Sequence, residues 1–290
     1  MQKQKEQKEL KLTEKQTEKL MLMEYLEQEC SVDIEKEVKY PPVTLSFGEK
    51  LIKAEEGDNL VPIALGTYGN LSVITAPPKT MKTFFVSLLA SVYLSDQNIY
   101  GGKLKGHRGD GHLLHIDTEQ GTWHCSKVFK RPLQMDSNIP KDNYHHYAFR
   151  PLDHQTRIDM IEHLLETKID KPSLIIIDGI ADLCSDANSI IETNKLVQKL
   201  MLWSAKYKCH IINVIHQNFG STKYGTGHLG SFLEKKAETV IALEANTVNK
   251  EWVTVKCGRS RGYSFDTFSF KVNDVGLPTI VEAIYDPLAL

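Results

Sequence analysis

Residues 76–83, Ala-Pro-Pro-Lys-Thr-Met-Lys-Thr, are the first candidate for a binding site. They lie between a short apolar run and a longer apolar segment. A strand, a loop ending in Lys-Thr and a helix form the setting of a phosphate-binding loop. Backbone amides and the helix N-terminus then create an anion site, Lys82 reaches the outer phosphates of a nucleotide, and the Thr83 hydroxyl binds Mg²⁺. The candidate contact residues are Ala76, Pro77, Pro78, Lys79, Thr80, Met81, Lys82, Thr83 and Phe84.

Both glycines of the consensus GxxxxGK[ST] are replaced in this loop, by Ala76 and Met81. The second glycine permits a backbone geometry that a Cβ atom disfavours, and it lets phosphate approach closely. Met81 therefore weakens the expectation of nucleotide binding, whereas Pro77 and Pro78 stiffen the loop and partly offset the loss. Taken alone, the segment fits an ordinary strand–helix connection as well as a nucleotide site.

Polar side chains also stand at the ends of three further apolar runs. The run Leu-Ile-Ile-Ile ends in Asp178, the Walker B arrangement, whose carboxylate helps to hold Mg²⁺. A second run is followed by Glu119, which could polarise an attacking water. A third ends in His216 and Gln217, groups suited to sensing a terminal phosphate. For Glu119 or His216 singly a structural role is as good an explanation, but the order of all these strand ends favours one shared site.

Apolar runs alternate with helical segments along most of the chain. The expected strands are 70–75, 112–117, 173–178, 209–216 and 239–244, and the expected helices are 82–94, 155–167 and 193–207. Continuous apolar strands separated by helices are typical of a parallel sheet covered on both faces. Residues 251–257 and 266–272 indicate a terminal, antiparallel strand pair, 43–62 a mixed lead-in, and 103–108 an exposed hairpin or loop.

The composition is that of an ordinary soluble chain, with 290 residues, 41% hydrophobic and 25% charged. No apolar run approaches the ~18 to 20 residues of a membrane span, and the N-terminus is charged, so we expect a cytoplasmic protein with no membrane partner. The five cysteines form no CxxC pair, which disfavours a disulfide framework or a zinc ribbon. A net charge of -2 means that any contact with nucleic acid must be local.

Residues 1–40 are expected to form a charged arm, and residues 41–290 the globular domain. Lys, Glu and Gln dominate the arm, and its apolar residues are too sparse for a full core-facing stripe. Two interpretations stay open: a solvated, partly disordered helix, or an arm that packs on a neighbouring subunit.

The motif order APPKTMKT, HLLHIDTEQ, LIIIDGI, INVIHQN and KCGRSRG resembles that of the RecA-fold motor ATPases. The resemblance covers residues 66–277 and is to the compact hexameric plasmid-type helicases and related ATPases of mobile elements, the RepA-type AAA ATPases. It implies a three-layer α/β/α RecA-like P-loop NTPase core with a mostly parallel sheet and an antiparallel C-terminal strand pair, and ATP and Mg²⁺ as ligands. The residues it assigns are Lys82 and Thr83 as the Walker A pair, Glu119 as general base, Asp178 as the Walker B carboxylate and Gln217 or His216 as sensor.

The same resemblance assigns a pair of arginines. In ring-forming members a basic pair near the end of the core reaches the nucleotide of the neighbouring subunit, which identifies Arg261 as the arginine finger and Arg259 as its companion. An arginine supplied in this way neutralises charge in the transition state and makes hydrolysis depend on assembly. The alternative is two arginines on a solvated hairpin.

Loops 185–193 and 218–231 follow the Walker B and sensor strands, and in the resembling family such loops line a central channel that holds single-stranded nucleic acid. Lys223 suits phosphate contact and Tyr224 suits base stacking, and His228 lies in the same loop. A mobile, glycine-rich surface loop with no ligand is the alternative.

The sequence as a whole predicts a homo-oligomeric, hexameric ring ATPase that couples Mg-ATP hydrolysis to binding and translocation of single-stranded DNA, helicase-like, in replication or mobilisation of DNA. A replication or mobilisation protein is the expected further partner. The alternative is a nucleotide-binding scaffold or loader in which Ala76 and Met81 have abolished turnover, or a regulatory ATPase that acts on a protein partner.

Overall fold

The structure is a computed structural model that describes residues 14–53, 58–96, 102–217 and 227–281. The chain divides into two compact units, Met1–Tyr40 and Pro41–Leu290. In the described part of the first unit, helix α1 (Glu14–Cys30) exposes apolar side chains that include Met21 and Tyr25. None of the described helices is long and apolar enough to cross a lipid bilayer.

The second unit alternates strands and helices. Its described helices are α2 (Lys82–Ser95), α3 (Thr122–Met135), α4 (His154–Thr167), α5 (Ile190–Lys206) and α6 (Gly227–Lys236). Its described strands are β1 (Val43–Ile52), β2 (Asn59–Thr67), β3 (Leu71–Ala76), β4 (Leu104–Gly106), β5 (His112–Asp117), β6 (Tyr144–Ala148), β7 (Pro172–Asp178), β8 (His210–His216), β9 (Thr239–Ala245), β10 (Trp252–Ser260), β11 (Phe268–Val272) and β12 (Pro278–Val281).

The main sheet has the order β12-β11-β10-β9-β3-β8-β7-β5-β6 in the described residues. Strands β9, β3, β8, β7, β5 and β6 pair in parallel. The apolar runs explain this arrangement, because each inner strand is covered on both faces; residues 174–177 of β7, for example, are completely buried. The predicted α/β fold with a mostly parallel sheet is confirmed.

Two helical layers cover the sheet. One core cluster contains side chains of α2 and α3, such as Phe85 and Phe129, and the other contains side chains of α4, α5 and α6, such as Leu164, Leu200 and Leu233. The helices therefore lie on opposite faces of the sheet and complete a three-layer α/β/α core.

A second, small antiparallel sheet, of order β2-β1-β4, covers α2 from outside. It explains why α2 is apolar on nearly all sides, with every residue from Phe85 to Leu94 buried. The prediction of a mixed lead-in at 43–62 was incomplete, because this stretch forms β1 and the start of β2. The exposed hairpin expected at 103–108 was wrong, because Leu104 is fully buried in β4.

The C-terminal antiparallel element is larger than the expected strand pair. Strands β10 and β11 form that pair, and β12 adds a third strand to its edge. Helix α3, strand β6 and helix α6 were also not predicted. In α3 the apolar residues Cys125, Val128 and Phe129 recur at helical spacing, but polar residues and Pro132 interrupt the pattern in the sequence.

Candidate nucleotide-binding site

The carboxyl ends of β3, β8, β7 and β5 lie side by side along one edge of the sheet. Ala76 at the end of β3 pairs with His216 at the end of β8, and Asp117 at the end of β5 pairs with Asp178 at the end of β7. In open α/β sheets this edge is where ligands bind. The fold thus brings four of the predicted strand ends to one place.

The loop between β3 and α2 keeps a left-handed turn without glycine. Met81 has φ 53° and ψ 30°, and Lys79 has φ 64°. The amides of Phe84 and Phe85 donate to the Met81 carbonyl, and the Thr80 hydroxyl donates to the Pro77 carbonyl at 2.8 Å. Met81 therefore adopts the backbone region in which glycine is the default residue.

Lys82 begins helix α2 and is 8% exposed. Its Nζ lies 2.9 Å from Nδ1 of His216, and Nε2 of His216 lies 3.3 Å from Oε1 of Glu119. Burial lowers the pKa of Lys82, although the carboxylates of Glu119 and Asp178 oppose the shift. The hydrogen bond from His216 lowers the pKa of Glu119, so this carboxylate is ionised at neutral pH. Three predicted site residues thus form one connected chain.

Thr83 and Asp178 form a second contact, in which the Thr83 hydroxyl donates to Oδ2 of Asp178 at 2.9 Å. Burial, followed by the nearby charge of Asp117, raises the pKa of Asp178 to about 7. A hydroxyl and a carboxylate, both oxygen donors, fit the ligand preference of Mg²⁺, which keeps several waters and binds through few protein groups. In the described part of the chain no group of three or more His, Cys, Asp or Glu side chains could hold a metal ion.

Asp117 and Gln120 position Glu119. The sequence marked Asp117 as the end of a strand but predicted no separate role for it or for Gln120. Asp117 accepts hydrogen bonds from the amides of Glu119 and Gln120 and from the Gln120 side chain, at 2.8 to 3.0 Å. Gly179, with φ 99°, lets this turn approach β7, because a Cβ there would overlap the Thr118 hydroxyl. A carboxylate directly before the Thr-Glu pair was the available signal in the sequence.

Arg131 is a third residue for which the sequence predicted no role. Its guanidinium carbon lies 3.8 Å from the ring centre of Phe84, the third residue of α2. In the described structure its Nη1 is buried and has no hydrogen-bond partner, and burial lowers its pKa. The Arg131 guanidinium therefore packs over the ring of Phe84 in the first turn of α2.

Arg259, near the end of β10, and Arg261, just after that strand, lie at the other edge of the sheet, the one formed by the amino ends of the parallel strands. Strand β10 runs antiparallel to β9, so Arg259 pairs with Val240, near the amino end of β9. The Arg261 side chain is exposed and donates to the Lys236 carbonyl at 3.0 Å. Since β9 has seven residues, roughly 20 Å separates the two edges of the sheet. The fold does not bring the arginines to Lys82 within one chain.

The predicted DNA-contact loop is only partly described. Lys223 and Tyr224 lie outside the described residues, and His228 is exposed in the first turn of α6 rather than in a loop. The amide of Gln217 donates to the Ala76 carbonyl at 2.9 Å. The other expected loop, 185–193, is shorter than predicted because α5 begins at Ile190, and Glu192 of α5 accepts from Ser185.

Comparisons with known proteins bear on the fold and the family of this chain. The structure is similar to a solved structure of the ATPase domain of another protein, with a TM-score of 0.54 and 14% sequence identity over 75% of this chain and 87% of that chain. The likeness confirms the predicted RecA-like fold. A search of curated protein sequences found no match. The family model described as AAA domain matches residues 37–221, more than half of the chain, and the chain therefore belongs to this AAA domain family.

Proposed function

We propose that this protein is a ring-forming ATPase that couples Mg-ATP hydrolysis to binding and translocation of single-stranded DNA, as plasmid-type helicases do. The observation that carries the proposal is the chain of contacts among Lys82, His216 and Glu119 beside the Thr83–Asp178 pair. The side chains to which we assign the roles of phosphate anchor, sensor, carboxylate base and Mg²⁺ ligands meet at one sheet edge.

The chemistry follows from the positions of these side chains. Lys82 would bind the outer phosphates, while Thr83 and Asp178 would hold Mg²⁺, which supplies charge neutralisation when bound. Glu119 is ionised and can accept a proton from the attacking water. The left-handed turn at Met81 supports phosphate binding, because it preserves the backbone shape that the consensus glycine normally provides.

Assembly into a ring is the second part of the proposal. Arg261 and Arg259 lie at the edge opposite the candidate site, so they can act on a nucleotide only from an adjacent subunit. A contact between one surface and a different surface of the next copy is heterologous, and such contacts form a ring when the rotation between copies closes. A hexamer, and a channel contact by Lys223, Tyr224 and His228, complete the proposal.

The test measures ATP-Mg binding by calorimetry and phosphate release with and without single-stranded DNA. We expect the wild type to bind ATP and to release phosphate faster with DNA. Lys82→Ala should lose binding, and Glu119→Gln should keep binding but lose about 100-fold or more in turnover. Lys168→Ala, an exposed lysine at the end of α4, is the matched control and should behave as the wild type.

The outcomes separate the competing functions. Binding without turnover in the wild type would identify a nucleotide-binding scaffold or loader. Turnover that DNA does not stimulate would identify a regulatory ATPase with a protein partner. Turnover that survives Lys82→Ala would contradict the assigned site.

A further inference from the structure

Helix α3 carries a line of basic, aromatic and amide side chains on its solvent face, which we call the α3 stripe. Trp123, Lys127, Lys130 and Gln134 follow one another at intervals of four, three and four residues, so they lie in one row along the helix over roughly 16 Å. All four are exposed, and Trp123 is 65% exposed. On the opposite side of the helix, Phe129 packs in the core. The α3 stripe therefore faces outward.

The positive charge of this helix is not neutralised by nearby acidic side chains. Residues 122–135 include Lys127, Lys130 and Arg131 but no Asp or Glu. Among the residues that the structure describes, no salt bridge involves Lys127 or Lys130. On the other face of the sheet, by contrast, Lys199 and Lys206 of α5 each pair with a glutamate of α4. In a chain with a net charge of -2, α3 is thus a local concentration of positive charge.

The indole ring of Trp123 is a flat surface that its neighbours on the helix hold in place. The Lys127 ammonium lies 4.9 Å from the ring centre, and the ring of His124 meets the indole at an interplanar angle of 86°. An ammonium group is attracted to the face of an aromatic ring, so the contact with Lys127 restricts the indole. Less side-chain freedom is then lost when a flat ligand stacks on it.

The residue types of the α3 stripe select one class of partner. Lysines attract any polyanion, including an acidic peptide, but a chain of Asp and Glu has no flat ring to stack on the indole. A single strand of nucleic acid offers both groups, because its phosphates carry the charge and its unpaired bases expose their faces. DNA and RNA share this chemistry.

The α3 stripe is separate from the loops predicted to contact DNA. Phe129 of α3 belongs to the core cluster that contains α2, whereas Ala187 of loop 185–193 packs against the cluster of α4, α5 and α6. Loop 218–231 leads into α6, on the same side as Ala187. The α3 stripe and these loops therefore belong to opposite faces of the sheet.

We propose that the α3 stripe is an additional binding site for single-stranded nucleic acid, in which a base stacks on Trp123 and backbone phosphates bind Lys127 and Lys130. The site lies outside the predicted channel and requires neither ATP hydrolysis nor a ring.

Fluorescence anisotropy of labelled oligo(dT) and oligo(U) with the full chain, without nucleotide and at several salt concentrations, tests the charges. Each phosphate contact contributes about 0.7 to the slope of log affinity against log salt for a single strand. We expect Lys127→Ala and Lys130→Ala each to lower this slope by about 0.7. Lys168→Ala, at an exposed end of α4, should not change it. An unchanged slope in both α3 variants would overturn the proposal. The tighter of the two oligonucleotides identifies the strand that binds.

The same measurement on Trp123→Ala tests stacking. Loss of one stacked base should weaken binding about 5- to 150-fold, and Trp123→Phe, which keeps a ring, should recover part of it. Leu202→Ala, on α5, is the matched control because Leu202 is 63% exposed, and it should bind as the wild type. Photo-cross-linking of an oligonucleotide that contains 5-iodouracil, mapped by mass spectrometry, should attach the base to Trp123. Equal affinity of wild type and Trp123→Ala, or a map without Trp123, would overturn the proposal.

Two further measurements separate other roles for these residues. Poly-L-glutamate, a polyanion without bases, should bind about five-fold more weakly or less, and equal affinity for it would instead indicate an acidic protein partner. Mg-ATP should bind Trp123→Ala as it binds the wild type, and a loss of ATP affinity would instead place Trp123 in the nucleotide site. Either result would overturn the proposal.

The two proposals fail in different ways. A wild-type chain that binds no oligonucleotide contradicts the α3 site and the DNA contact of the proposed function, but not the ATPase assignment. A chain whose oligonucleotide affinity is unchanged in Trp123→Ala contradicts only the α3 site.

Discussion

Met81 keeps the geometry of a phosphate-binding turn at a position where glycine is usual. Its φ of 53° is the left-handed region, which costs an ordinary side chain roughly 1 kcal/mol. Packing of the Met81 side chain against the core cluster of α2 helps to hold the residue there. An unbranched side chain tolerates this region better than a β-branched one.

Substitutions at Met81 separate backbone strain from side-chain volume. We expect Met81→Gly to change the free energy of unfolding by less than about 1 kcal/mol, because relief of strain offsets the added freedom of the unfolded chain. Met81→Val should lose about 1 to 2 kcal/mol and should weaken ATP binding, because a β-branched residue resists positive φ. Urea unfolding and calorimetry measure both effects. Equal stability of the two variants would show that the left-handed turn does not carry strain.

At the scale of elements, the register of β5 against β7 determines the electrostatics of the site. Pairing of Asp117 with Asp178 places two buried carboxyl groups on neighbouring strands. Burial raises the pKa of both residues, and for Asp178 the charge of Asp117 adds to the effect. Without a cation, repulsion between the two carboxylates lowers the free energy of unfolding. A bound divalent metal ion would remove this repulsion.

This cost predicts how stability depends on pH. The pKa of Asp178 is about 7 in the folded chain against an ordinary 3.8, so the folded chain binds more protons between these values. The free energy of unfolding should therefore fall as pH rises from about 4 to about 7 and then level off. Asp178→Asn removes the charge and should be more stable than wild type at pH 8 by about 2 to 4 kcal/mol, with little difference at pH 4.

Urea unfolding at several pH values without Mg²⁺ measures this dependence. Asp159→Asn, on the exposed surface of α4, is the control and should follow the wild type. A wild-type stability that is level between pH 5 and 8 would contradict the raised pKa.

At the scale of the whole molecule, the sheet has two chemically different edges. The candidate nucleotide site lies at the carboxyl edge. Arg259 of β10 and Arg261, just after β10, lie at the amino edge, where Arg261 contacts the end of α6. Under the proposed role of Arg261, a complete catalytic site needs two copies of the chain. Hydrolysis that depends on a neighbour makes assembly a condition of activity.

Mixing two inactive variants tests this dependence. Glu119→Gln lacks the base but keeps the arginine, whereas Arg261→Ala lacks the arginine but keeps the base. Random mixing at equal amounts should restore about a quarter of the wild-type sites, because each needs an Arg261→Ala subunit beside a Glu119→Gln subunit. Phosphate release measures the recovery. A mixture of Glu119→Gln with Lys82→Ala, both defective in the same site, is the control, and recovery no greater than in that control would contradict the shared site.

Much of the fold was predictable because local patterns determine it. Apolar runs predicted β3, β5, β7 and β8 to within one or two residues, since strands buried on both faces are continuous in sequence. Helix α3 and the small sheet were not predicted, because polar residues interrupt their apolar ones. These apolar residues are buried only by contacts with parts of the chain that are distant in sequence. Strand β12 was missed because it is only four residues long.

The sequence by itself determined which residues stand at strand ends and in what order, because strand ends are local features. Only the tertiary structure decided that His216 lies between Lys82 and Glu119, and that Arg261 is at the opposite edge, because strand order and register depend on pairings across the chain. It also decided that Met81 takes a left-handed conformation, since the turn at this residue has to connect β3 to α2.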